Sequence, residues 1–177
     1  TGVAQGNVII KSNQQDSFTS SFDMSSITSL STNLSGLTIG KPTNTANITF
    51  DGSTTIAGPI SAYGGSILVN SNLSSTATNK DILLKTSEDI NLEGTNKSIT
   101  TNGGNIILWS NSDATNGGGI YLGYNEASSP SISTSGGGFW AGGGSGTSNW
   151  LPYAGATAIT VGDGYAEGRS ISLGSGN

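Results

Sequence analysis

One eight-residue pattern constrains the fold of this chain more than any other feature. It reads a branched apolar residue, a hydroxyl residue, two further residues, two glycines, one residue and a large apolar residue. The three copies span residues 60–67, 99–106 and 132–139. Glycine accepts positive φ and lets the backbone turn sharply, so each copy predicts a short strand A, a glycine corner and a second strand B.

Two further strand types follow the same alternation of apolar and polar residues. Strand C reads apolar–any–apolar close to a glycine, at residues 48–50, 90–92, 120–122 and 171–173, and an optional strand D occurs at 37–40, 82–84 and 159–162. Side chains of a strand point alternately to its two faces, so the apolar residues would share one face. A recurring strand order with variable spacing is typical of a solenoid.

We therefore expect an all-β fold, a right-handed parallel β-helix of about four rungs with uncapped ends, forming a single domain over residues 1–177. The rungs would start near Thr1, Ile60, Ile99 and Ile132, with long insertions at 12–36 and 140–158. The right-handed sense follows from the general rule for parallel crossovers.

The composition of the chain argues against several classes of protein. Charged residues make up 10% of the chain, against roughly 25% in ordinary globular domains. Low-complexity sequence rich in Gly, Ser, Thr and Asn often stays disordered because it buries too little apolar surface, but here the apolar residues recur in register. The net charge of −5 argues against a nucleic-acid partner, and no apolar run is long enough for membrane insertion.

Catalytic chemistry has few candidate residues. The chain has no His and no Cys, which excludes Ser-His-Asp triads, Cys-His nucleophiles and ordinary zinc sites. We assign no catalytic residue, no cofactor and no metal ligand, and expect a protein that is not an enzyme. The enzymatic alternative is a polysaccharide-degrading β-helix, which needs two carboxyl groups at a defined separation. The carboxylates considered are Asp51, Asp81, Glu88, Asp89, Glu93, Asp113, Glu126, Asp163 and Glu167. Most sit at predicted turns, and they form no column across rungs.

Several segments resemble a known family. Residues 37–40, 58–65 and 132–138 are similar to the repeats of filamentous-haemagglutinin-like adhesins, large repetitive bacterial surface proteins that fold as right-handed parallel β-helices. The resemblance covers roughly residues 38–174. It implies secretion, an extracellular location at the bacterial cell surface, and a role as an extended stalk or adhesive fibre.

The ends of the predicted solenoid suggest self-association. An uncapped solenoid leaves unpaired backbone groups on its terminal rungs, which favours pairing with another strand. The neighbour would be either an adjoining solenoid of the same chain or a second copy stacked head to tail.

A second partner surface is predicted on the B strands. Their outward residues are apolar rather than polar, namely Ile9, Leu68, Ile107 and Trp140. A contiguous apolar strip usually marks an interface. We expect either lateral contact with a neighbouring fibre or cover by the first insertion, through Phe18, Phe22, Met24, Ile27 and Leu30.

The second insertion is the candidate glycan site. Trp150, Tyr153 and Tyr165 lie among glycines, and exposed aromatic rings stack against sugars. These rings could instead fill the last corner of the solenoid. Ice binding is disfavoured, because the outward hydroxyls of Ser61, Thr100 and Ser133 would form only a narrow column.

Overall fold

The fold is that of a computed structural model, which describes residues 5–13, 15–115, 118–123, 130–144, 158–161 and 170–172. Within these residues the chain forms seventeen strands and one single-turn 3₁₀ helix, Met24–Ser26. No helix in this part of the chain is both long and apolar enough to cross a lipid bilayer.

The strands form three sheets. Sheet 1 contains β1 (Gln5–Ile10), β3 (Leu34–Ile39), β6 (Ile60–Gly64), β9 (Ile82–Thr86), β12 (Ile106–Ser110) and β15 (Phe139–Gly143). Sheet 2 contains β2 (Phe22–Asp23), β4 (Ile48–Phe50), β7 (Ile67–Val69), β10 (Ile90–Leu92), β13 (Gly119–Leu122) and β16 (Ala158–Val161). Sheet 3 contains β5 (Thr54–Ile56), β8 (Leu73–Thr78), β11 (Ser98–Asn102), β14 (Ser131–Ser133) and β17 (Ser170–Ser172).

Every strand pairing is parallel, and the chain visits the three sheets in rotation. Each coil therefore adds one strand to each sheet, except that the first coil, with β1 and β2, adds none to sheet 3 in the described residues. This arrangement confirms the predicted parallel β-helix. Its right-handed sense stays a prediction.

The core is a set of stacked apolar columns. In sheet 2, the residues Ile48, Ile67, Ile90 and Ile120 pair in register, and each is fully buried. In each of these strands the residue that follows the isoleucine points outward, as the alternation predicted. Burial of each such side chain contributes about 1.5–3 kcal/mol, so the columns are the main source of stability.

The prediction of about four rungs is wrong, because sheets 1 and 2 each contain six strands. The predicted rung starts are not equivalent either. Ile60 lies in sheet 1, whereas Ile99 and Ile132 pair with each other in sheet 3. The same glycine pattern serves two different corners: from sheet 1 to sheet 2 at Gly65, and from sheet 3 to sheet 1 at Gly104.

Both corners require glycine for the same physical reason. A Cβ on Gly65 would overlap the carbonyl of Thr45, and a Cβ on Gly104 would overlap the carbonyl of Lys80. Each corner thus presses against the backbone of the preceding coil. Because neither corner leaves room for a Cβ, both have the same glycine pattern in the sequence.

The segment 12–36, predicted as an insertion, instead belongs to the first coil. Phe22 pairs in register with Ile48, and Met24 is buried at 4% exposure. Phe18, Ile27 and Leu30 also pack against the core. These side chains complete the end of the core. The expectation that they cover the outer face of sheet 1 is therefore wrong. The second predicted insertion, 140–158, begins inside β15, and residues 145–157 lie outside the described residues.

Candidate interaction surface

Three of the four predicted interface residues lie in one column on the outer face of sheet 1. The column is in continuous register and contains Ile9, Thr38, Ser61, Leu83, Ile107 and Trp140. Leu68 does not belong to it, because it lies in sheet 2 between Thr49 and Asn91. The prediction that Leu68 stacks in this column is wrong, since the glycine pattern before it turns a different corner.

The apolar character of this column is uneven. Ile9 is 59% exposed and Trp140 is 45% exposed, whereas Ile107 is only 3% exposed. Thr38 and Ser61 separate Ile9 from the rest. The continuous apolar part is therefore limited to three neighbouring coils, at Leu83, Ile107 and Trp140.

A second outward column lies beside the first and is filled by its own side chains. It contains Tyr63, Lys85, Trp109 and Gly142 in register. Lys85 Nζ lies 3.9 Å from the centroid of the Trp109 ring, a cation–π contact. The Trp109 Nε1–H donates a 2.8 Å hydrogen bond to the carbonyl of Gly144, and the ring is fully buried.

Burial also shifts the pKa of the two titratable groups in this column. Desolvation lowers the pKa of Lys85, because burial disfavours the ammonium. Desolvation raises the pKa of Tyr63, and a hydrogen bond from the Ser61 side chain partly opposes that rise. Both shifts follow from the partial burial of these two side chains.

Sequence reasoning missed Trp109. The available signal was its position two residues after Ile107, which places both side chains on the same face of one strand.

The ends of the core show a different kind of surface. In sheet 1 one inward column begins with Val8 in β1 and ends with Phe139 in β15, and a second begins with Ile10 and ends with Ala141. These four end residues are only partly buried. The members between them, Leu37, Ile60, Ile82 and Ile106 in one column and Ile39, Ala62, Leu84 and Leu108 in the other, are at most 2% exposed. Apolar surface is thus open at both terminal strands of the sheet.

Two of the carboxylates considered for catalysis have a structural role. Asp81 Oδ1 accepts a 2.7 Å hydrogen bond from the backbone N–H of Asn105, and Asp89 Oδ1 accepts one of the same length from Gly119. Each Asp precedes the first inward residue of its strand, and each donor holds the same position in the next coil.

Three asparagines repeat this contact. Asn47, Asn72 and Asn105 accept hydrogen bonds from the backbone N–H groups of Ser66, Ser98 and Gly138, at 2.9, 3.1 and 2.9 Å. We call these five contacts the Asx staples. They tie successive coils together at the strand starts. The sequence signal was an Asn or Asp directly before an apolar strand, which sequence analysis read as turn chemistry only.

The other described carboxylates also contact nearby groups. A hydrogen bond from the Ser25 side chain is the largest cause that lowers the pKa of Asp51, whose Oδ1 also accepts the Ser25 N–H at 2.8 Å. Glu88 Oε2 accepts from Ser66 Oγ at 2.9 Å, and Asp113 binds Thr115 in its own turn. In the part of the chain that the structure describes, no group of three or more His, Cys, Asp or Glu could hold a metal ion. Glu126, Asp163 and Glu167 lie outside it.

The outward hydroxyls form a column on sheet 3, not the column predicted. Its members with described side chains are Thr55, Ser74, Thr100 and Ser133, whereas Ser61 lies on sheet 1. The hydroxyls of Ser74 and Thr100 are 2.7 Å apart and bond to each other. The predicted glycan residues Trp150, Tyr153 and Tyr165 lie outside the described residues.

Comparison with known proteins gives no relative: no protein-family model, no curated protein and no solved structure matches this chain.

Proposed function

We propose that this chain is a non-enzymatic structural or adhesive segment of an extracellular fibre on a bacterial surface, and that it joins its neighbours through the ends of the solenoid. The observation that carries the proposal is the difference in burial along the core columns of sheet 1. They are closed between coils and partly open at both terminal strands, at Val8 and Ile10 on one side and Phe139 and Ala141 on the other.

Backbone pairing supports the same arrangement. In the described residues β1 pairs only with β3, and β15 pairs only with β12. The free edge of a terminal strand presents N–H and C=O groups that readily pair with another strand. A solenoid contacts only its neighbouring coils, so a further coil would add the same type of interface that already holds the stack together.

The adhesive role and the bacterial cell surface are proposed from the family resemblance of residues 37–40, 58–65 and 132–138. The low content of charged residues and the lack of His and Cys agree with a structural role. The core columns consist of apolar side chains, and the Asx staples use only Asn and Asp. Asp81 and Asp89, two of the carboxylates considered for catalysis, are engaged in those staples.

The neighbouring solenoid is either a continuation of the same polypeptide or a second copy. The mass of the subunit in native material distinguishes these two arrangements. A subunit of 17.7 kDa supports stacking of separate chains, and a much larger one supports a continuous solenoid. Electron microscopy of the same material should show long, uniform filaments in either case, and isolated short particles would contradict the proposal.

A variant at the terminal strand tests the purified chain directly. Val8→Asp places a charge on the open end of the core, so we expect loss of end-to-end association in sedimentation velocity. Asn91→Asp, an outward change on the middle strand β10, is the matched control and should associate as the wild type does. Wild-type chains that stay monomeric at all accessible concentrations would contradict the stacking of separate copies through their ends.

Two further partner assignments are proposals from sequence. The sequence predicts lateral fibre contact at Ile9, Leu68, Ile107 and Trp140. It would use the apolar part of the outer column on sheet 1, where Leu83 and Trp140 flank the buried Ile107. The alternative function, a carbohydrate-binding or polysaccharide-degrading β-helix, depends on Trp150, Tyr153 and Tyr165. A glycan array with Trp150→Ala as control tests it, and binding that is absent or unchanged in the variant would exclude these rings as the sugar contact.

A further inference from the structure

We infer that chains associating end to end join through sheet 1 in one particular register, with β15 of one copy beside β1 of the next and Trp140 beside Ile9. The inference rests on the proposed assembly through the ends of the solenoid and specifies which residues form the junction. For chains that associate in this way, the occupant of each free edge is a second copy of this chain.

The first observation is the placement of two exposed residues. Among the side chains that the structure describes, the exposed large hydrophobic residues are Ile9, at 59%, and Trp140, at 45%. They lie at opposite ends of the same outward column. If a second copy continues that column, the two side chains become neighbours and cover each other.

The inward columns lead to the same register independently. Continuing sheet 1 by one strand places Val8 beside Phe139 and Ile10 beside Ala141, and all four are partly buried apolar residues that pack against the core. A shift by one residue would instead turn the inward side chains to the solvent face, because side chains alternate along a strand. A shift by two residues would keep the inward side chains facing inward but would move Ile9 away from Trp140. The register proposed is therefore the one that pairs apolar residues on both faces of the junction.

Sheet 2 can continue across the same junction. Its inward column begins with Phe22 in β2 and reaches the register position of Ile159 in β16. Sheet 3 cannot continue in the same way, because β5 is its first strand in the described residues and lies one coil later. Sheets 1 and 2 would therefore form the junction.

The junction would lack one contact that ties coils within the chain. The side chains of Asp81 and Asn105 each accept a hydrogen bond from a backbone N–H of the next coil. The donor is the residue directly before the first inward residue of that strand. The equivalent position in the last coil is Gly138, which has no side chain to accept the N–H of Asn7. Apolar contact and backbone pairing would thus hold the junction. Substitutions at Ile9 and Trp140 therefore test it directly.

Cysteine cross-linking tests the register. The chain has no cysteine, so introduced thiols give no background. Neighbouring parallel strands lie about 4.8 Å apart, within the Cα separation that a disulfide spans. In the double variant Ile9→Cys with Trp140→Cys, mild oxidation should give a ladder of products at multiples of 17.7 kDa on a non-reducing gel. The control pair is Thr38→Cys with Trp140→Cys, because Thr38 lies one coil inside the stack and should give no ladder.

The outcomes separate the register from the proposed function. Particles that associate end to end without a disulfide ladder would overturn the register and leave the fibre proposal intact. Chains that do not associate in any form would overturn the register and the stacking of separate copies, and would leave only the continuous polypeptide. Circular dichroism shows whether each double variant keeps its β structure.

A single substitution keeps the inference testable if a double variant fails to fold. Trp140→Ala changes an exposed side chain and should weaken association about tenfold or more in sedimentation equilibrium, as expected for an aromatic residue at the centre of an interface. Thr38→Ala is the matched control. Wild-type association by Trp140→Ala would overturn the inference.

Discussion

The ammonium group of Lys85 lies over the indole of Trp109, with Nζ 3.9 Å from the ring centroid. The two residues are neighbours in register on β9 and β12, on the outer face of sheet 1. Trp109 is nevertheless fully buried, and its N–H bonds to the carbonyl of Gly144 in the next coil. An outward tryptophan thus acts as a packed element that links three coils through one ring.

The Trp109 ring should contribute measurably to stability. We expect Trp109→Phe to lower the free energy of unfolding by about 1–3 kcal/mol, because it removes the hydrogen bond to Gly144 and leaves a small cavity. Urea denaturation at a concentration where the chain is monomeric measures the change. Trp140→Phe, at a 45% exposed position, is the control and should cost less than about 0.5 kcal/mol. Equal effects of the two substitutions would contradict a special role for Trp109.

The pKa of Lys85 predicts a dependence of stability on pH. Burial lowers this pKa from its ordinary value of 10.5, so the folded chain holds the proton less tightly than the unfolded chain. The destabilising contribution is fully present below the lowered pKa, and the free energy of unfolding rises as the pH increases from that pKa towards 10.5. Lys85→Met should remove this rise in denaturation curves recorded across the interval.

The titration of Tyr63 must be removed from both chains when the effect of Lys85 on the pH dependence of stability is measured. Burial raises the pKa of Tyr63 from 10.0, so its stabilising contribution is present below pH 10.0 and is lost as the pH rises through the raised pKa. This trend opposes that of Lys85. The comparison should therefore be made with Tyr63→Phe in both chains, and identical pH profiles with Lys85 and with Met would show that burial does not perturb the lysine.

The architecture could be predicted because its causes are local. Alternating residues such as Ile90 and Leu92 fix which side of a strand faces inward, and paired glycines mark corners. The number of coils could not be predicted, because one pattern serves two corners. Nothing in residues 60–67 or 99–106 alone indicates which sheet the chain has just left.

The candidate surface was predictable only in part, for related reasons. Ile9 and Trp140 were found because a large apolar residue alternates with core residues in each strand. Leu68 was assigned to the same surface because its strand follows the same pattern at another corner. The Asx staples join residues such as Asp81 and Asn105, whose pairing depends on the coil length and hence on the register.

The Asx staple at Asp81 offers a test with its own conservative control. We expect Asp81→Ala to lower the free energy of unfolding by about 1–3 kcal/mol, because the part-buried N–H of Asn105 loses its acceptor. Asp81→Asn retains the Oδ1 acceptor, as Asn47 and Asn72 do in other coils, and should recover most of the loss. Chemical denaturation measures both variants. If Asn and Ala destabilise equally, the hydrogen bond is not what ties these coils together.

The corner glycine Gly104 gives the strongest test of how closely the coils are stacked. A Cβ at this position would overlap the backbone carbonyl of Lys80 in the preceding coil, and backbone cannot move aside as a flexible side chain can. We expect Gly104→Ala to cost about 1–3 kcal/mol or more in the free energy of unfolding, the range for overpacking a well-packed site. Gly6→Ala is the matched control, because a Cβ there meets nothing within 4 Å and the position is exposed. Thermal and urea denaturation of the two variants should therefore differ clearly. If Gly104→Ala is as stable as Gly6→Ala, the coils do not approach each other as closely at this corner as the parallel β-helix requires.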